Sequence, residues 1–137
     1  MSNIELLLND LKGYYDKFYD KNNFNGPSLF LHREAVSIDI KKDFEEKCKR
    51  TYAVLPAWGM HRMGDKGPKM QEYETYRGSL LQLKNALLSL AELSYSDIND
   101  SQDVIIKEIF INMKVMINKR VLVGNSKALC HLLPKIF

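Results

Sequence analysis

Ser79-Leu80-Leu81-Gln82-Leu83-Lys84-Asn85-Ala86-Leu87-Leu88-Ser89-Leu90-Ala91 is the stretch that decides the fold class. Its apolar positions, 80, 81, 83, 87, 88, 90 and 91, cover most of a helix circumference, and a helix apolar nearly all round belongs in a core. Ser79-Leu80-Leu81-Gln82 matches a capping box, so a fresh helix is expected to start at Ser79, after Gly78, rather than near Glu72. Ser94-Tyr95-Ser96-Asp97 breaks it.

Downstream, a second wide-faced helix is expected from Asp100 or Ser101 to about Asn118, carrying Ile105, Ile106, Ile109, Phe110, Met113, Met116 and Ile117. Val121-Leu122-Val123 reads as a short, extended connector. Gly124-Asn125-Ser126 reads as a turn with a cap, opening a last helix that Pro134 ends. Upstream, residues 59–70 hold three glycines and a proline and form the clearest loop. Before it, Asp39 is the expected cap of a helix with Ile40, Phe44, Cys48, Tyr52 and Leu55 on one side, stopped or kinked by Pro56 and Gly59. Leu29-Phe30-Leu31 is too short to assign. Ile4, Leu7, Leu8, Leu11, Tyr15 and Phe18 share one face of a first helix, capped by Ser2 or Asn3 and ended by 22–27. No Val/Ile-rich alternating run occurs, which argues against a sheet. The expected fold is all-α: a compact bundle of about five or six helices in one domain, 1–137, with 80–93 and 101–118 as the central pair.

Composition agrees. The 137 residues are 45% apolar and 27% charged, which excludes a disordered chain and suits one core. No apolar run reaches the roughly 18 residues of a membrane span, and Met1-Ser2-Asn3-Ile4-Glu5 lacks a secretory leader's basic start. Two cysteines, Cys48 and Cys130, make neither a disulfide framework nor a four-ligand zinc site alone. A cytoplasmic protein is expected, without membrane partner, cofactor or metal.

Net charge is +3 but unevenly spread. Residues 1–46 and 78–108 each carry −3, while 47–77 carry +4 and 109–137 carry +5. The basic blocks could simply attract the acidic ones across the fold. Alternatively, they converge into a positive face for a phosphate or another polyanion.

Two stretches could carry that chemistry. The 59–70 loop concentrates His61, Arg62, Lys66 and Lys69 beside Trp58 and Met60. Arg and Lys neutralise phosphates, loop glycines allow close backbone approach, and a Trp can stack on a base. The bland reading is a connector whose Trp and Met pack on the core. Gly124-Asn125-Ser126-Lys127, read as a turn opening a helix, would present free N–H groups and the positive dipole end to an anion, with Lys127 adding charge. Its bland reading is an ordinary cap. The P-loop order is absent. His61 and Asp65, at i and i+4, fall short of a metal site. Cys48 reads as a core thiol. Cys130 and His131 diverge by about 100° on a helix and cannot pair as nucleophile and base. No nucleophile elbow, H-E-x-x-H or C-x-x-C motif occurs, so no complete catalytic constellation is present.

Ala57-Trp58-Gly59-Met60-His61-Arg62-Met63-Gly64, together with Leu122-Val123-Gly124-Asn125-Ser126-Lys127-Ala128-Leu129-Cys130-His131-Leu132-Leu133-Pro134, resemble segments of an uncharacterised all-helical family of microbial proteins. That resemblance implies a helical fold and no particular activity. In the family a Pro-Ile-Asp-Arg-like segment follows the Leu-Leu-Pro, whereas here Lys135-Ile136-Phe137 follows. The resemblance therefore implies a shortened member. A more distant similarity is to helix-hairpin-helix DNA glycosylases. Their Gly-x-Gly hairpin and later catalytic Asp have no counterpart here, since no acid follows Glu108. At most the anion-binding use of a glycine turn carries over.

The expectation is a non-catalytic domain that binds a polyanion, nucleic acid in particular, through 59–70 and 124–127. Its rivals are a homodimer or protein-interaction module using the apolar C-terminal helix, with Leu132, Leu133, Ile136 and Phe137, and a fragment of an enzyme. The first requires Arg62 and Lys127 to lie close together.

Overall fold

The computed structural model describes residues 5, 8–13, 16, 26–62 and 66–137. The described part is all-α. Its helices are α1 (Pro27–Ser37), α2 (Phe44–Ala57), α3 (Tyr73–Gln82), α4 (Lys84–Leu90), α5 (Asp100–Asn112) and α6 (Val121–Leu132), with 3-10 turns at Met60–Arg62 and Tyr95–Asp97. Of the expected first helix, Leu8 and Leu11 are described and exposed, while Ile4, Leu7, Tyr15 and Phe18 lie outside the described residues. No helix among the described residues is long and apolar enough to cross a membrane.

Leu29-Phe30-Leu31 belongs to α1, which Pro27 opens at its first turn, where a missing N–H costs nothing. The cap of α2 is Asp43, whose side chain accepts from the Glu46 N–H, and not Asp39. Asp39 instead closes the preceding turn, accepting from the Lys41 N–H. Pro56 falls in the last turn of α2, and Gly59 (φ +84°) then reverses the chain in a conformation that few other residues adopt.

Three boundaries differ from the sequence expectation. Ser79 caps nothing: it lies buried inside α3, where its hydroxyl donates to Tyr76 O and accepts from the Lys114 N–H. Helix α3 therefore starts from Glu72, and Leu83 separates it from α4. Helix α5 stops at Asn112, because 113–117 exchange helical bonds for pairing with 69–71. The Gln71 N–H donates to Val115 O and the Ile117 N–H to Lys69 O, around an isolated antiparallel bridge between Met70 and Met116. In α5 only Ile109 is buried, while Val104 and Ile111 are exposed. Finally, Val121-Leu122-Val123 is no connector and Gly124-Asn125-Ser126 no turn. All six are helical and are the first six residues of α6.

Helix α2 sits at the centre, packed on α1, α3 and α6. The core is built around Phe44, Cys48, Leu55, Tyr76, Leu87 and Leu129. Leu132, Leu133 and Ile136 fold back into it, and the Tyr95 N–H donates to Lys135 O, so the apolar end of the chain is mostly covered. Lys47 of α2 is also buried, its Nζ donating to Ala35 O at 2.7 Å. That contact supplies a donor to the C-terminal carbonyls of α1, which has no basic residue in its own last turn.

Two helical glycines are expected to respond oppositely to substitution. A Cβ on Gly124 would collide with the Met116 side chain and press on Val115, whereas one on Gly78 would meet nothing within 4 Å. Gly78→Ala should stabilise by about 0.5–1 kcal/mol through helix propensity. Gly124→Val should cost about 1–3 kcal/mol through overpacking. Urea unfolding of both variants measures the contrast.

Candidate functional site

The site is assembled where the start of α1, the end of α2 and the middle of α6 meet. At the end of α2 the Trp58 N–H donates to Val54 O and Leu55 O, and the Gly59 N–H to Pro56 O. After the reversal at Gly59, buried Met60 anchors the 3-10 turn, and His61 Nδ1 lies 2.9 Å from Pro56 O. Arg62 is left exposed at the rim. From the other side Lys127 of α6 reaches across, and its Nζ donates to Trp58 O at 3.1 Å. The same ammonium stands 5.7 Å from the centre of the Trp58 ring, within range of a cation–π attraction. Trp58 Nε1 points to Ser28 O at 3.4 Å.

These contacts border an open hollow of about 430 Å³ lined by Ser28, Trp58, Gly59, Arg62 and Lys127, with no carboxylate in its wall among the described residues. Two of the residues singled out in the sequence, Arg62 and Lys127, thus line one space. The others separate. Lys66 is exposed and Lys69 half-buried, its carbonyl spent on Ile117. His61 turns back to its own helix end. Asp65 lies outside the described residues.

Gly124, Asn125 and Ser126 do not supply the free N–H groups expected of them. The Gly124 N–H donates to Arg120 O at 3.1 Å, as its place inside a helix requires. Gly124 and Asn125 are buried, and Asn125 Nδ2 donates to Phe110 O and Met113 O, tying α6 to the end of α5. The Ser126 hydroxyl donates to Leu122 O at 2.6 Å. The glycine in this motif serves close packing, which turn chemistry alone does not distinguish from a bend.

Behind the hollow lies a polar group that the sequence did not reveal. His131, fully buried one turn after Lys127, has Nδ1 at 2.7 Å from Lys127 O and Nε2 at 3.1 Å from His32 Nδ1. A carbonyl can only accept, so Nδ1 of His131 carries the proton, Nε2 is a lone pair, and His32 Nδ1 donates to it. The Trp58 ring stacks on His32 (centroids 5.3 Å apart, planes at 22°) and meets His131 edge-on at 4.8 Å. His131 thereby orients the carbonyl of Lys127 and the indole beneath it. Burial pushes its pKa down to about 4; the bond to Lys127 O opposes this, and nearby His32, Lys47 and Lys127 reinforce it. His32 is also lowered, by burial and then by Arg33.

The cysteines are passive. Cys48 is a core thiol, and burial pushes it up to about 12. Cys130 is half-buried and likewise raised by burial. It sits on a separate apolar groove of about 380 Å³ with Ile106, Phe110, Leu129 and Phe137. Among the described residues no three or more His, Cys, Asp or Glu side chains converge as metal ligands.

Comparison with protein-family models, curated proteins and solved structures finds no match for this chain.

The histidine pair makes stability pH-dependent with a definite sign. His131 is neutral in the fold down to about pH 4 but protonates near 6.5 once unfolded. Its contribution is fully present above pH 6.5 and is lost as pH falls towards 4, by about 3 kcal/mol in total. Urea midpoints measured from pH 7.5 to 4.5 should fall accordingly. His131→Gln should flatten most of that decline; an unchanged slope would reject the assignment.

Proposed function

We propose that the protein is a non-catalytic helical domain that binds a phosphate-bearing polyanion, nucleic acid in particular, in the hollow between Arg62 and Lys127. One observation carries this reading: two cations from distant parts of the chain line a single hollow, and no carboxylate stands in its wall among the described residues. The Arg62 guanidinium offers planar paired donors suited to a phosphate, and the Lys127 ammonium is held in place by Trp58 O. Exposed Lys66, nearby in the chain, adds positive charge to the same loop. The contribution of α6 is a side chain, Lys127, rather than a helix N-terminus. Trp58 acts as a wall, since its ring is already engaged by His32 and His131.

Trp58 is the sole tryptophan, so its intrinsic fluorescence reports directly on the hollow. Titration with a single-stranded oligonucleotide should change that signal, with an affinity that falls steeply as salt is raised. Arg62→Glu and Lys127→Glu should each weaken binding by about tenfold or more, as loss of a phosphate contact and charge reversal require. Lys127→Gln, which keeps a donor for Trp58 O, should weaken it less. Absence of any binding at low salt, or unchanged affinity in both charge reversals, overturns the proposal. Dimerisation by sedimentation that Phe137→Asp abolishes, without polyanion affinity, would favour a protein-interaction role for the apolar groove instead.

A further inference from the structure

We propose that Lys47 is a reactive amine that captures a small aldehyde or ketone as an imine, in the pocket where α1 ends against the 132–135 corner. This site is independent of the polyanion hollow. Three geometric facts support it. Lys47 is 1% exposed, and its Nζ lies 2.7 Å from Ala35 O. Among the described residues no carboxylate lies within ion-pairing distance of that nitrogen, although ion pairs are frequent elsewhere on the surface. The side chain also lines a pocket of about 270 Å³, with Val36, Ile38, Ile40 and Leu132 forming apolar parts of its wall. A primary amine beside such a pocket, with no acid bonded to it and shielded from water, gives up its proton more readily than a surface lysine and is the better nucleophile near neutral pH.

The charged groups around it are consistent with that state. Asp39, from the turn between α1 and α2, is the one acid whose attraction opposes deprotonation. Glu92 and Lys135 stand at the wall on the far side and attract each other across 3.4 Å. Buried His131 of α6, which Lys47 helps to keep neutral, offers no compensating negative charge. Desolvation dominates and brings the amine down to about 8.

The reaction balances without any further component. The Nζ lone pair attacks the carbonyl carbon, and the carbonyl oxygen takes up a proton to give a carbinolamine. Loss of the hydroxyl with a nitrogen proton, as water, leaves a C=N bond. Water entering the pocket, whose wall includes Asp39, carries those protons. The pocket volume of about 270 Å³ suits a carbonyl compound of small-molecule size.

Reductive trapping tests this on the whole protein. Native protein is treated with propanal and sodium cyanoborohydride, which reduces the imine to a stable secondary amine, and modified lysines are located by peptide mass spectrometry. At pH 7.5 Lys47 should be modified at least about tenfold faster than exposed Lys41 and Lys42, because its neutral fraction is on the order of a hundredfold larger. That preference should vanish above about pH 10.5, where all amines are neutral. An aldehyde-bearing dextran, far larger than the pocket, should modify only surface lysines. Lys47→Met should remove the fast reaction; should that variant not fold, the wild-type peptide map decides alone. Modification of Lys41 and Lys42 first, with Lys47 protected until urea unfolds the chain, would overturn the proposal and leave Lys47 as a cap for α1.

Discussion

Helix α6 can occupy its place because one side of it combines a missing side chain with polar groups that bond to neighbouring segments. Gly124 lets the helix lie against Val115 and Met116, where any Cβ would collide. One residue on, the Asn125 amide takes up two carbonyls at the end of α5 that would otherwise be buried without a donor. Two turns on, His131 binds the Lys127 carbonyl and His32. Ala128, Leu129 and Leu132 fill the space between with apolar surface. These contacts fix the position of the helix, and the reach of Lys127 to Trp58 follows from it.

This arrangement concentrates positive and neutral nitrogen groups in one region. His32, His131, Lys47 and Lys127 lie between α1, α2 and α6, where Lys47, Lys127 and His131 each bond to a backbone carbonyl. Such groups are tolerated when they are neutral or bonded to carbonyls, and both conditions hold here. The cost appears as lowered pKa values for His131 and Lys47. Substitutions in this region are therefore expected to affect stability as well as the hollow beside Trp58.

How much was legible varied with the kind of signal. The buried stripe of α2 and the break at 94–97 could be read from periodicity and capping residues, because these are local properties. Ser79 misled because a capping box describes only residues in sequence, and its hydroxyl instead serves Lys114 from another segment. Gly124-Asn125-Ser126 misled for a related reason: glycine and asparagine favour turns locally, but here each fits a neighbour that only the fold brings near. His131 and Lys47 did leave a faint trace. His131 falls in step with Gly124, Ala128 and Leu132, and Lys47 with Phe44 and Thr51, so each polar residue interrupts an otherwise buried stripe.

Taken alone, the order of residues determined that this chain is helical, that it has a glycine-marked reversal after Trp58, and that its basic residues fall in two blocks. These follow from backbone preference and from periods of a few residues. Only the tertiary structure decided that Arg62 and Lys127 share a hollow, that His32 and His131 meet, and that Lys47 reaches α1. Those pairings depend on how helices pack, and packing is set by side-chain shape across the whole core, which no local window of sequence contains.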